Sequence, residues 1–268
     1  MTRRDQLVAL LAGLLSGIAG GFFGVGGGLV LIQLLTDRLR LSQHQAHGTS
    51  LAVIGATALV SLAVYGAHSN VAWTTAALVG AASLITARYG ARLAVRTTPR
   101  ALAKAFAVCV VVVGVRLLWR TPEGTGAALQ HGAQRVGLDL GLGVAVGLLA
   151  GYMGVGGGIL IVPALTLLVG MPQHLAQGTS LAVILVTAPA GAIEHARHGN
   201  VVGRLVPGLA LGGAIGGPLA SWLAQGLDRA LLSRAFALFL LANAANIWAR
   251  AERRPGAAEH GELHGRSG

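Results

Sequence analysis

The sequence predicts an all-α polytopic membrane protein made of two homologous halves, and three observations carry that prediction. Hydrophobic residues make up 54% of the 268-residue chain and charged residues 11%, against roughly 25% charged in soluble domains. A shift of 130 residues lays one half on the other without a gap. Glycine also clusters inside apolar runs, in GGFFGVGGGLVLIQLL from Gly20 and again in GYMGVGGGILIVPALTLL from Gly151. The 20 Lys and Arg and 9 Asp and Glu are too few to coat an aqueous fold of this size. A mean hydropathy of +0.68 agrees with a bilayer as the solvent.

The repeat aligns GVGGG at 24–28 with 154–158, Gln43 and His44 with Gln173 and His174, and GTSLAVI at 48–54 with 178–184. His68, Asn70 and Val71 likewise fall on His198, Asn200 and Val201. The domain reading is a first transmembrane repeat at 1–120, a polar linker at 121–134, a second repeat at 135–250 and a disordered tail at 251–268. The N-terminal apolar run imitates a secretion signal. It continues to Thr36 and has an uncut counterpart, so it reads as a retained segment.

Each half has three uncharged runs of spanning length after its Gly-rich segment: about 45–67, 71–94 and 101–119, then about 175–193, 205–227 and 231–249. The Gly-rich segments differ. Residues 140–173 carry no Asp, Glu, Lys or Arg, and as one helix they would reach roughly 51 Å against roughly 30 Å of hydrocarbon. Such a helix must break, and Gly154–Gly158 is the weakest place. Arms of 14 residues on each side are short for two crossings, which favours a re-entrant hairpin. The count is then about eight helical segments: in each half, one Gly-rich broken or re-entrant helix and about three transmembrane helices.

Charge placement supports inverted repeats. With three crossings per half and the N-terminus inside, 15 Lys and Arg fall on the inner side and 5 outside. Four crossings per half would give 11 against 9, which is almost no bias. The net charge of +11 is therefore read as topology, and no nucleic-acid partner is expected. Cys109 is the only cysteine and reads as a small buried hydrophobe.

Backbone that leaves helical geometry within a membrane has to be buried in protein or line a watery cavity. In GVGGGLVLIQ and GVGGGILIVP the glycines precede an apolar helix, whose free N–H groups and positive end then face the break. Two such ends form a site for a small anion without a cationic side chain. On this reading Gly24, Gly26, Gly27, Gly28, Gly154, Gly156, Gly157 and Gly158 cradle the anion, with hydroxyl donors from Thr49, Ser50, Thr179 and Ser180. Close helix packing is the competing account of the glycines, and bonding to the preceding helical turn that of the hydroxyls.

GVGGG before an apolar helix, then PQHLAQGTSLAVI, then HGNV, all doubled over about 230 residues, is similar to the sulfite exporter TauE/SafE family, also called toluene sulfonate uptake permeases. The resemblance implies a multi-pass transporter of the cell inner membrane that carries sulfur-containing anions such as sulfite, sulfonates or sulfoacetate. Alternating access, a coupling proton or sodium ion, lipid contact and a homodimer accompany that expectation. Family members usually carry Pro where the first half has Gln33, and the second half keeps it as Pro163.

Weaker site candidates are Gln33, Gln43, His44, Gln173, His174 and Glu194. The Gln and His pairs begin the helices that hold the Thr-Ser pairs, where capping or anchoring is the plainer role. Asn70 and Asn200 read as turn residues. Glu194 closes an otherwise uncharged helix and could carry a proton with His195 or His198, although a solvated helix end is the plainer reading. Neither half offers a convincing metal set, so neither metal nor cofactor is expected. An enzyme is not expected either: GVGGG lacks the last Gly of G-x-G-x-x-G and the Lys of a phosphate loop. The alternatives are a membrane assembly or scaffold protein, or a carrier of another small anion such as a carboxylate. A cation carrier would need a carboxylate in a central helix, and Asp139 and Glu194 read as lying near helix ends.

Overall fold

The computed structural model describes residues 3–95, 99–119, 132–153 and 158–253, all in helices and short turns. Ten helices run in the order α1 (Arg3–Phe23), α2 (Gly28–Asp37), α3 (Gln43–Ala67), α4 (Trp73–Val95), α5 (Pro99–Trp119), α6 (Ala133–Met153), α7 (Gly158–Leu167), α8 (Gln173–Arg197), α9 (Val206–Gln225) and α10 (Arg229–Arg253). The expected eight segments become ten because each Gly-rich segment supplies two helices. Among the described residues five are long and apolar enough to cross a membrane: α1, α3, α8, α9 and α10. The expected spans at 71–94 and 101–119 are helical as α4 and α5, and among the described residues α5 contributes the apolar segment Ala107–Trp119.

Two sequence expectations need correction. The arms of the second break have 21 and 10 residues, not 14 each. Helix α6 starts at Ala133, ahead of the charge-free window, because its charges neutralise one another: Arg135 Nε lies 3.1 Å from Asp139 Oδ1. The Thr75 hydroxyl of α4 donates to Asp139 Oδ2 at 2.9 Å and accepts from Arg135 Nη2 at 3.2 Å. Asp139 is thus buried within a helix rather than placed at its end. The tail is the second case, since α10 continues to Arg253. The remaining tail residues and linker positions 121–131 lie outside the described residues.

Local chemistry sets where the helices start and stop. Ser42 caps α3 with a full capping box, its hydroxyl accepting from Gln45 N at 3.2 Å while Gln45 Oε1 accepts from Ser42 N at 3.3 Å. Pro172 occupies the equivalent place before α8. Both long helices end in a left-handed residue, Ser69 with φ 57° and Gly199 with φ 69°.

Helix α1 runs parallel to α9, with Gly13, Gly17 and Gly21 against Leu209, Gly213 and Gly217, and α6 meets α4 in the same manner through Gly143 and Gly147. These one-turn glycine rows allow backbone to touch backbone. Helices α3 and α8 are antiparallel in the centre, where Gly48 meets Asn200 and Gly178 meets Asn70. Helix α2 folds back along α1: Leu31 and Leu35 share a core cluster with Ala9 and Ala12 of α1 and Ala46 of α3. Helix α2 thus turns back beside α1 over its 10 residues.

Candidate functional site

The first break is three residues in the left-handed region, Gly24 at φ 69°, Gly26 at 71° and Gly27 at 78°. Only glycine takes such angles without strain. Gly27 is also the N-cap of α2 and offers no side chain to its first turn, so the positive end of α2 faces the break. The Ser16 hydroxyl donates to Gly27 O at 3.0 Å and that of Ser50 to Gly28 O at 3.4 Å.

The start of α7 meets the first break. A Cβ on Gly158 would come 2.6 Å from Val25 O and 2.8 Å from Ile184 Cδ1. A Cβ on Gly26 would come 2.6 Å from Ile54 Cγ2. Ile54 and Ile184, equivalent by the 130-residue shift, thus close the centre from α3 and α8. Gly154, Gly156 and Gly157 lie outside the described residues.

The hydroxyls expected at the site have definite partners, with one exception. Thr49 Oγ1 accepts from Val202 N at 3.0 Å, and Thr179 Oγ1 accepts from Ala72 N at 3.0 Å while donating to Leu175 O at 2.6 Å. Each long helix is in this way tied to the turn that follows the other. The Ser180 hydroxyl is fully buried and has no hydrogen-bond partner among the described residues.

The weaker candidates separate. Gln43 and His44 are exposed. Gln173 is 3% exposed, and neither polar atom of its amide is partnered. His174 Nε2 meets Ala224 O at 2.9 Å. Glu194 is exposed and sits 3.6 Å from His198 and 3.8 Å from Arg197. Gln33 turns to α10, donating to Asn243 Oδ1 at 3.2 Å and accepting from Asn246 Nδ2 at 3.2 Å. The residue that departs from the family pattern thus has amide partners of its own.

Residues not singled out from the sequence complete the site. Tyr65 is fully buried, and its hydroxyl lies 3.1 Å from Gly21 O and 3.0 Å from Gln177 Oε1. Gln177 Nε2 donates to Phe22 O at 3.3 Å. These bonds fasten the end of α1 to α3 and α8. Gln177 belongs to a stripe on α8 at one-turn spacing, Gln173, Gln177, Ser180 and Ile184, and α3 repeats it as Gln43, His47, Ser50 and Ile54. The spacing was present in the sequence. The α8 stripe is buried throughout, whereas the α3 stripe is exposed at its outer end.

An apolar groove of about 520 Å³ lies elsewhere, between α1 and α9 beside Leu15, Ile18 and Leu219. It has almost no polar lining and faces outward, so the polar stripes and the breaks are the better candidate site. No group of three or more metal-ligating side chains occurs among the described residues.

The comparisons agree on a family. The profile of the sulfite exporter TauE/SafE family matches residues 1–117 and 138–267. A probable membrane transporter protein of Xylella fastidiosa (strain 9a5c) is 28% identical over 246 residues, covering 90% of this chain and 94% of the relative. Probable membrane transporter protein YunE of Bacillus subtilis (strain 168) is 26% identical over 233 residues, covering 77% of this chain and 85% of the relative. No solved structure matches. Apolar helices of spanning length, and a family match on both sides of the linker, make this chain a multi-pass membrane transporter of the sulfite exporter TauE/SafE family.

Proposed function

We propose that the chain moves small anions across the cell inner membrane by alternating access around the two glycine breaks, with sulfur-containing anions such as sulfite, sulfonates or sulfoacetate as the substrate class. The family match supports that class. The observation that carries the site is the α8 stripe: Gln173 and Ser180 are buried with uncommitted polar atoms, one turn to either side of Gln177, which binds the end of α1. Buried donors without partners are rare and costly in a native fold. An anion between the stripes would accept from them, and the positive end of α2 would add a favourable field.

The halves act as inverted repeats, so motion of one hairpin against α3 and α8 exposes the site to one face and then the other. Reciprocal packing supports this reading: α1 lies on α9 as α6 lies on α4, and Thr49 is to Val202 as Thr179 is to Ala72. A uniform rule of positive charge inside puts the start of α3 at the cytoplasmic face.

Flux tests the proposal. Purified protein in liposomes should take up radiolabelled sulfite or a short alkyl sulfonate well above empty liposomes, with mutual competition between them. Absence of flux for every sulfur anion and carboxylate tested would favour a scaffold role. Flux of carboxylates alone would move the substrate class.

A further inference from the structure

We infer that His195, with His47 on the facing helix α3, forms a proton-binding site that opens one face of the protein. The inference rests on the alternating-access reading above. Gly178 of α8 packs on Tyr65, whose Cβ would lie 2.9 Å from a Cβ on that glycine, and Gly48 of α3 packs on His195 with the corresponding distance 2.8 Å. The neighbours of these glycines are Gln177 and His47. The same backbone arrangement therefore carries Tyr65 with Gln177 at one face and His195 with His47 at the other.

The chemistry of the two pairs differs. Tyr65 and Gln177 form a neutral hydrogen bond of 3.0 Å that fastens α3 to α8, and Tyr65 also holds Gly21 of α1. Phenol and amide stay uncharged through the physiological range. Histidine titrates at about 6.5, within that range. His195 is half-buried, and its Nδ1 is buried without a hydrogen-bond partner among the described residues.

The charged groups that act on His195 are His44 of α3 and Glu194 and His198 of its own last turns; Arg197 sits on Glu194, and His47 precedes Gly48, the glycine that packs on His195. A proton here adds positive charge to a site that holds three other histidines and an arginine against one exposed carboxylate. Like charges drive α3 and α8 apart at this end and open the face. Loss of the proton lets it close. The Tyr65–Gln177 pair takes up no proton in this range, so that face closes only through its coupling to the other.

Cysteine accessibility tests this in a Cys109→Ser background that carries Ser50→Cys. An impermeant thiol reagent is applied from each face in right-side-out and inside-out vesicles, with rates normalised to total labelling after denaturation in detergent. Lowering the pH from about 7.5 to about 5.5, across the titration of histidine, should raise labelling from the His195 face severalfold and lower it from the Tyr65 face. The exchange His195→Tyr with His47→Gln, which transplants the opposite pair, should flatten the response. His195→Gln alone should flatten it as well and serves where the double variant does not insert. A pH-independent parent, or an unchanged response in both variants, overturns the proton site. A response at the His195 face without the reciprocal fall leaves the proton site standing and overturns alternating access. Absence of labelling from either face at any pH counts against both.

Discussion

The backbone N–H of Ala72 donates to the hydroxyl of Thr179 at 3.0 Å, and that hydroxyl donates onward to Leu175 O at 2.6 Å. One side chain thus joins the turn after α3 to the start of α8, as Thr49 joins the turn after α8 to the start of α3 through Val202. Thr179→Val keeps the shape but leaves the Ala72 N–H without its acceptor, at a cost of about 1–3 kcal/mol. The variant should melt several degrees lower in detergent, with Thr179→Ser close to the parent. Equal melting of Thr179→Val and the parent would show that the bond contributes nothing to stability.

Glycine rows predict opposite signs for one substitution. A Cβ at Gly17 of α1 would lie 2.7 Å from the Gly213 carbonyl oxygen of α9, with no flexible atom to move aside. Gly17→Ala should destabilise by about 1–3 kcal/mol through overpacking. Gly137 of α6 has nothing within 4 Å of its Cβ position, so Gly137→Ala should stabilise by about 0.5–1 kcal/mol. Thermal unfolding of the two variants checks both signs, and destabilisation by both would remove the contrast.

Gln33 and Asn243 hold the half-length helix α2 to α10 through an amide bond of 3.2 Å. Interhelical bonds of this kind in membrane proteins average about 0.6 kcal/mol and reach about 1.7 kcal/mol. A double-mutant cycle with Gln33→Leu and Asn243→Leu should return a coupling energy in that range. Strict additivity would mean that α2 is held by its apolar face alone.

Tyr65→Phe removes the hydroxyl that meets both Gly21 O and Gln177 Oε1. The face it closes should open more readily, and Gln173→Cys, 3% exposed in the parent residue, should be labelled several times faster in the Tyr65→Phe background. Gln177→Leu should produce the same increase, and the two together little more than either. Unchanged labelling would take the phenol out of the closure.

The breaks were legible in the sequence because glycine clusters in apolar helices have few structural uses, and three of them take left-handed angles. The starts of α3 and α8 were legible at Gln43 and Gln173, where the Gln and His pairs begin those helices. The start of α6 was not, since a charge-free window cannot foresee that Asp139 is offset by Arg135 and by Thr75, which lies 64 residues away in sequence. The stripes escaped because Gln173, Ser50 and their neighbours were weighed singly rather than at one-turn spacing. Tyr65 gave no repeat signal, as its counterpart is His195. Its partner Gln177 lies 112 residues away.

Concentration-dependent uptake of labelled sulfite into liposomes, at matched incorporation of parent, Gln173→Leu and Ser180→Ala, tests most directly whether the stripe carries the anion. Loss of a donor to a charged group costs about 1.5–3 kcal/mol, so each variant should raise the apparent KM roughly tenfold or more, since 1.4 kcal/mol is a factor of ten. Leu238→Ala, at an exposed position of α10 outside both stripes, should transport like the parent. KM and maximal rate unchanged in both buried variants would contradict an anion path along α8 and place the site elsewhere in the bundle.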